Sequence, residues 1–367
     1  MISIRIAAEN LIMSRPPETL GGKGAERMNI MNAREKVMRV FERKEVPEGA
    51  MWTGHPSDEI IPVLSKAWNI EQTREAVFKY LNDDIRWIGG VNCYHAPDRR
   101  PALDAFWNME KGKSLSCPGC FAECEEISEI EAYPWPDVKY MDFTDVIAEM
   151  DKHQDKMILG GIWSGFFQDL CNFFGMENYF VKMYTDPEVV EAATEHIVDY
   201  YVAANDKMLA ETGTRSDIMF IGNDFGTQRN LMISPEMFRK FVMPSLKRLI
   251  DVGKKHHKKV MVHSCGSIYQ IIPDLIDAGV DILHPLQAQA FGMSAQELKQ
   301  YKNDIAFVGG IDAQSFFVNA TPQQIKDEVH RVRDILGPGL VVSPSHEEIL
   351  PNVPPENIKA MAEAARE

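Results

Sequence analysis

An α/β fold, a parallel sheet wrapped by helices, is what this chain predicts, and three observations predict it. Short β-rich runs alternate with long amphipathic stretches from about residue 157 onward. Several of the runs end in Gly, Asn, His or Ser, as expected where a strand opens into a functional loop. No Gly-x-Gly-x-x-Gly follows any run, which weakens the case for a dinucleotide-binding sheet. Repeated strand–helix alternation implies crossover helices and therefore parallel strands. The pattern alone leaves a closed barrel and an open doubly wound sheet both standing.

The elements follow in order. A helix near 32–44 precedes a strand-like segment at 50–54, and residues 90–136 form an irregular stretch with scattered Trp, Pro and Cys. That stretch is expected to be an insertion folded over the mouth of the sheet. Strands are predicted at 157–163, 217–223, 259–263, 281–284, 305–309 and 339–343, with helices around 187–212, 234–257, 268–278, 294–303, 321–336 and 354–366. Helix starts are marked by Ser234-Pro235-Glu236, a capping hydroxyl before a first-turn proline, and by Thr185-Asp186-Pro187-Glu188. Ser294 with Glu297, and Thr321 with Gln324, have the spacing of capping boxes. Residues 1–27 are expected to be a flexible extension and 28–367 a single domain, with no linker, repeat or low-complexity tract.

Composition narrows the function. A chain of 367 residues with 45% hydrophobic and 25% charged residues can bury a large core without disulfides. Its net charge of −15 argues against a nucleic-acid surface, and mildly against a highly anionic substrate unless the site is locally basic. No apolar run reaches the length of a membrane span, and the leader lacks the plan of a signal peptide. Six irregularly spaced cysteines read as reduced thiols, so a cytoplasmic protein is expected.

The chemistry centres on Val262-His263-Ser264-Cys265-Gly266. Alternate strand residues project to one side, so His263 and Cys265 can point at a single atom. Imidazole nitrogen with thiolate is a preferred donor pair for zinc, although a buried histidine beside an unrelated cysteine has the same spacing. A catalytic zinc site needs a third donor and an open position, and His346, just past the last predicted strand, is the candidate. Glu347 and Asp224, the latter after another strand end, are candidate acid–base or orienting groups. Gln287 after His284-Pro285-Leu286 is a candidate substrate ligand. Cys117, Cys120 and Cys124 have no second pair nearby, leaving a structural ion, a redox pair or three loop thiols as readings. Asp83-Asp84 reads either as a carboxylate pair or as a cap. His256-His257 lies in a lysine-rich helix end, where solvated cations complement the helix dipole.

Several segments together resemble the uroporphyrinogen decarboxylase superfamily: the run from Ser234 through Lys247, His263-Ser264-Cys265-Gly266, Gly309-Gly310-Ile311-Asp312, and the Leu350 to Asn357 stretch. The similarity covers roughly 30–365 and is most specific in the C-terminal half. It implies a (β/α)8 TIM barrel, which decides for the closed sheet. True decarboxylases of the superfamily carry an Arg-Gln-Ala-Gly-Arg segment after the first strand. The matching Met51 to Asp58 stretch, with His55 inside it, holds no arginine. The corrinoid-dependent methyltransferase branch is the better match, because His263 and Cys265 reproduce its His-x-Cys zinc pair. The branch's C-terminal cysteine is replaced here by Ser343, Ser345 and His346.

The resemblance therefore implies a zinc-dependent methyltransferase that moves a methyl group from a methoxylated substrate to cob(I)alamin on a separate corrinoid protein. In that reading His263, Cys265 and His346 hold zinc, and Asp224 or Glu347 moves a proton or orients ligands. His55, Gln287, Trp52, Trp87, Trp107 and Phe291 are the candidates to contact the substrate. A methylcobalamin:thiol methyltransferase of the coenzyme M type is the alternative, and a uroporphyrinogen decarboxylase stands behind both. Dimers are common in the superfamily, which leaves a homodimer open.

Overall fold

The computed structural model describes residues 31–90, 92–99, 102–103 and 114–367. The expected extension over 1–27 and the candidate Trp107 lie outside the described residues. From Asn32 onward the chain is one compact unit around an eight-stranded sheet in the order β1-β8-β7-β6-β5-β4-β3-β2. The strands are β1 (Ala50–Met51), β2 (Ile85–Trp87), β3 (Met157–Gly160), β4 (Ile218–Gly222), β5 (Lys259–His263), β6 (Ile282–Leu286), β7 (Ala306–Ile311) and β8 (Leu340–Pro344). Every ladder is parallel, and the order is that of a nearly closed (β/α)8 barrel.

Side-chain parity sorts the core into an inside and an outside. Trp52, Ile85, Leu159, Phe220, Met261, Ile282 and Val308 pack with one another in the lumen, and Val37, Val40 and Phe41 of helix Ala33–Phe41 join that cluster. Met51, Ile158, Met219, Val262, Leu283, Phe307 and Val342, one position out of phase, belong to the cluster that includes the surrounding helices. The period of two along each strand thus decides which residues can reach the mouth.

The seam between β1 and β2 is held by carboxylates. Asp84 N–H donates to the Met51 carbonyl (3.2 Å), and Met51 N–H donates to Asp84 Oδ2 (3.0 Å). Thr53 N–H donates to Asp83 Oδ2 at 2.7 Å, and Ile85 N–H to Asp83 Oδ1 at 3.0 Å. Lys36 meets Asp84 at 2.8 Å and Arg86 lies 3.9 Å from Asp83, all four groups being buried. The two readings left open for Asp83-Asp84 resolve to neither a catalytic pair nor a helix cap: the residues clasp the barrel.

Sequence and structure differ elsewhere for identifiable reasons. β2 escapes a pattern search because it has only three residues. The helix expected over 234–257 comprises a first turn, Pro235–Met237, a π-helical stretch, Phe238–Val242, and the α-helix Met243–Lys255. Pro244, in the first turn of that last helix, has no N–H for an intrahelical bond, and the backbone ahead of it adopts the wider turn. Both predicted capping boxes, Ser294 with Glu297 and Thr321 with Gln324, are present. The described part of 90–136 joins β2 to β3, and its Phe121 stacks on Phe173 at 5.2 Å. No helix among the described residues is long and apolar enough to cross a membrane.

Removing Asp84 leaves Lys36 buried without its counter-charge and orphans the Met51 N–H. Asp84→Ala is expected to cost about 3–5 kcal/mol, measured as a shift in the urea unfolding midpoint. Asp83 makes a second, pH-dependent prediction. Burial outweighs the nearby Arg86 and the Thr53 contacts and raises its carboxyl from 3.8 to about 6. Folding then favours the protonated form, so this contribution is fully present below 3.8 and is lost as pH rises through about 6. Wild-type stability relative to Asp83→Asn is expected to fall between about pH 4 and 6 and to level off above.

Candidate functional site

Three strand ends deliver the central residues. His263 is the last residue of β5 and Cys265 lies two beyond it, in phase on the lumen side. The strand turns away at Gly266, whose φ of +84° suits glycine, and a Cβ there would fall 2.5 Å from the Gly226 carbonyl carbon. Asp224 follows β4, and His346 and Glu347 follow β8. Strands far apart in sequence meet at this C-terminal rim, where barrel active sites form.

The distances bring acidic and sulfur donors around one imidazole. Cys265 Sγ lies 3.4 Å from His263 Nε2, and Asp224 Oδ1 lies 3.3 Å from the same nitrogen. On the other side of the ring, His263 Nδ1 is 3.0 Å from His284 Nδ1 and 3.6 Å from Glu347 Oε2. One donor atom each from Asp224, His263 and Cys265 lie within 4.8 Å of one another, as do those from His263, His284 and Glu347. Asp224 Oδ1 also accepts the Cys265 N–H at 2.8 Å, which fixes the loop that carries the thiol.

Electrostatics follow from burial against neighbours. Burial opposes a charge on His263, yet Glu347, Cys265 and Asp224 together hold its pKa well above 6.5. Burial likewise opposes ionisation of Asp224, but the His263 contact and the Cys265 N–H keep its carboxyl at about 2. His284 is pushed well below 6.5 by burial and by the adjacent His263 and His346, and so stays neutral. For His346, burial is outweighed by a hydrogen bond with Cys265 and by Glu347, raising the ring to about 9. A buried group of anionic donors around one nitrogen calls for a cation at its centre, either an imidazolium or a metal ion. Thiolate, imidazole and carboxylate together are a donor set that zinc accepts.

Above these donors lies a cavity of about 320 Å³ lined by His55, Trp87, Trp163, Asp224, His263, His346, Glu347 and Glu348. Trp163 stands against His263 with centroids 4.9 Å apart and meets Trp87 at 5.3 Å. Room for that indole exists because residue 222 is glycine: a Cβ there would lie 2.0 Å from Trp163 Cε2.

The structure thus gathers His55, Asp224, His263, Cys265, His346, Glu347 and Trp87 of the sequence candidates. It places the others elsewhere. Trp52 is fully buried beneath the site, its ring 5.1 Å from His284. Phe291 is 61% exposed and packs on Tyr269, away from the residues that line this cavity. Gln287 Oε1 accepts the Gly266 N–H at 2.7 Å, so this side chain holds the turn after the His-x-Cys pair. His284 and Trp163 were missed: each sits inside an apolar run, and only their lumen phase, shared with Ile282 and Leu159, could have flagged them. Among the described residues, neither donor group includes Cys117, Cys120 or Cys124.

Comparison with known proteins places these residues in a context. The family model described as Uroporphyrinogen decarboxylase (URO-D) matches residues 116–367. A curated relative, the methylcobamide:CoM methyltransferase MtbA of Methanosarcina acetivorans, is 23% identical over 188 residues, covering 51% of this chain and 52% of its own. The chain therefore spans about half the length of that relative. A solved structure of a methyltransferase from Methanosarcina mazei superposes with a TM-score of 0.63 at 15% identity, covering 91% of this chain and 98% of that one. At that identity the likeness concerns the fold.

Gln287→Ala leaves the buried Gly266 N–H unpaired and is expected to cost about 1–3 kcal/mol. Gln287→Glu, which keeps the acceptor, is expected to recover most of that loss in the same denaturation experiment.

Proposed function

The chain belongs to the uroporphyrinogen decarboxylase (URO-D) family, and on that footing we propose that it is a corrinoid-dependent methyltransferase with zinc at the His263–Cys265 centre. The observation that carries the proposal is the convergence of Cys265 Sγ and Asp224 Oδ1 on His263 Nε2, at 3.4 and 3.3 Å. His263 and Cys265 are the two fixed ligands. Asp224 is the third donor that distance favours. His346, expected from the sequence and lining the same cavity, is the alternative third donor on the more exposed side. Zinc bound there supplies a Lewis acid for the substrate heteroatom that gives up its methyl group.

The remaining work falls to the protein's own groups. Glu347 and His284 face His263 Nδ1, so the ring proton belongs there and the Nε2 lone pair faces the thiol and Asp224. The backbone bond from Cys265 N–H to Asp224 orients the sulfur. Trp87 and Trp163 exclude water and offer flat apolar faces to a substrate ring. The methyl acceptor is a reduced corrinoid on a partner protein that docks at the barrel mouth, and the donor is a methoxylated compound. A porphyrinogen with many carboxylates fits poorly, because no arginine is among the described residues that line this cavity.

One observation favours a second reading: the named relative is a methylcobamide:CoM methyltransferase. In that case the methyl group travels from the corrinoid to a thiol. Assays with methoxylated donors plus cob(I)alamin, and with thiols plus methylcobalamin, separate the two.

Purified protein is expected to contain close to one zinc per chain by elemental analysis. His263→Ala and Cys265→Ala should each abolish it. Comparing Asp224→Ala with His346→Ala identifies the third donor as the variant with the greater loss. Stoichiometric metal absent from wild type, or methyl transfer unchanged after chelation, would overturn the proposal.

A further inference from the structure

A second cavity of about 370 Å³ adjoins the first and has no role in the chemistry described above. His55 and Trp87 line both chambers, and their rings, edge to face at 5.8 Å, stand between them. Phe78 and Ile88 supply apolar wall on the far side.

The ionic groups of this chamber are not equally committed. Glu75 is held by Arg86 through two hydrogen bonds of 2.9 and 3.2 Å. Glu149 is held by Lys152 at 2.6 Å and His153 at 3.1 Å. Arg74 differs. It donates to the Pro56 carbonyl (3.1 Å), and its ion-pair partner at 2.7 Å is Asp58, whose side chain is 91% exposed. An ion pair with one member in water contributes little, so the guanidinium exchanges it readily for a better-shielded anion. His55 adds no competing charge, because burial and then Arg74 itself depress its pKa below 6.5. Although the chain carries a net charge of −15, this corner presents a cation at the edge of an apolar slot.

We propose that the second chamber is an anion subsite, in which the substrate of the His263–Cys265 centre places a carboxylate or sulfonate against Arg74. The substrate then lies across the His55–Trp87 partition. Its reacting end faces the His263 side, its apolar middle packs on Trp87 and Phe78, and its anionic end meets Arg74. The inference rests on the methyl-transfer reading for what happens at the reacting end, but the anion pairing can be measured without any reaction.

Calorimetric titration of the full chain tests it with matched pairs: para-methoxybenzoate beside para-methoxybenzyl alcohol, and mercaptoethanesulfonate beside mercaptoethanol. At least one anion is expected to bind about ten- to a hundredfold more tightly than its neutral partner. Arg74→Ala should erase that preference while leaving the neutral affinity nearly unchanged. Asp58→Asn, which removes the competing counter-ion, should strengthen anion binding, and this holds even if Arg74→Ala fails to fold. Preference for the benzoate identifies an aromatic carboxylate, and preference for the sulfonate identifies a thiol sulfonate. Equal binding of both pairs by wild type, or an anion preference that survives Arg74→Ala, overturns the subsite. An Arg74-dependent preference without methyl transfer would instead sink the proposed function and leave the subsite standing.

Discussion

The architecture depends on how a two-residue strand is held. β1 offers only Ala50 and Met51 to the sheet. β8 secures one side through Ala50–Val341 and Met51–Val342, and the carboxylates of Asp83 and Asp84 secure the other. Side-chain oxygens thus supply acceptors where strand backbone would ordinarily do so, at the cost of burying charge that Lys36 and Arg86 must balance. The loop leaving β1 carries His55, the loop leaving β8 carries His346 and Glu347, and β2 ends at Trp87. One wall of each chamber, formed by His55 and Trp87, therefore rests on the strands that meet at this clasp.

Within the site, one nitrogen organises its neighbours. Asp224 and Cys265 face His263 Nε2 while Glu347 and His284 face Nδ1. The two sides of the ring are chemically distinct: one offers ligand-type donors, the other proton acceptors. Such a division suits a ligand histidine oriented from behind, and it explains how so much acidity is tolerated in a buried place.

Much of the frame was legible in the sequence because strand parity is a local property. β5 runs over 259–263 as expected, with His263 and Cys265 in phase. The capping hydroxyls Ser294 and Thr321 mark their helices correctly. What could not be read locally was distance across the mouth. Gln287 lies at a strand end as expected, yet its partner is the Gly266 backbone. Phe291 has the right chemistry for a ring-binding site, but the loop after β6 turns it toward Tyr269 and solvent. In sequence Asp83 and Asp84 read equally as a carboxylate pair or a cap, because nothing short of the closed sheet shows the N–H groups of Met51 and Thr53 that they serve. The charge balance of the whole chain likewise hides Arg74, whose surroundings are set by residues up to His153.

Trp163, in the loop after β3, and Gly222, the last residue of β4, are tightly bound to each other. Its indole occupies the space that any side chain on residue 222 would need, 2.0 Å from where a Cβ would stand, and that same ring leans on His263. A side chain at 222 and the large ring at 163 therefore exclude each other. A lineage that acquires even an alanine at 222 must first surrender the large ring at 163, and with it the wall over the histidine. The accessible route to new substrates runs through shrinking 163 first, since that step opens the chamber while glycine still waits beneath.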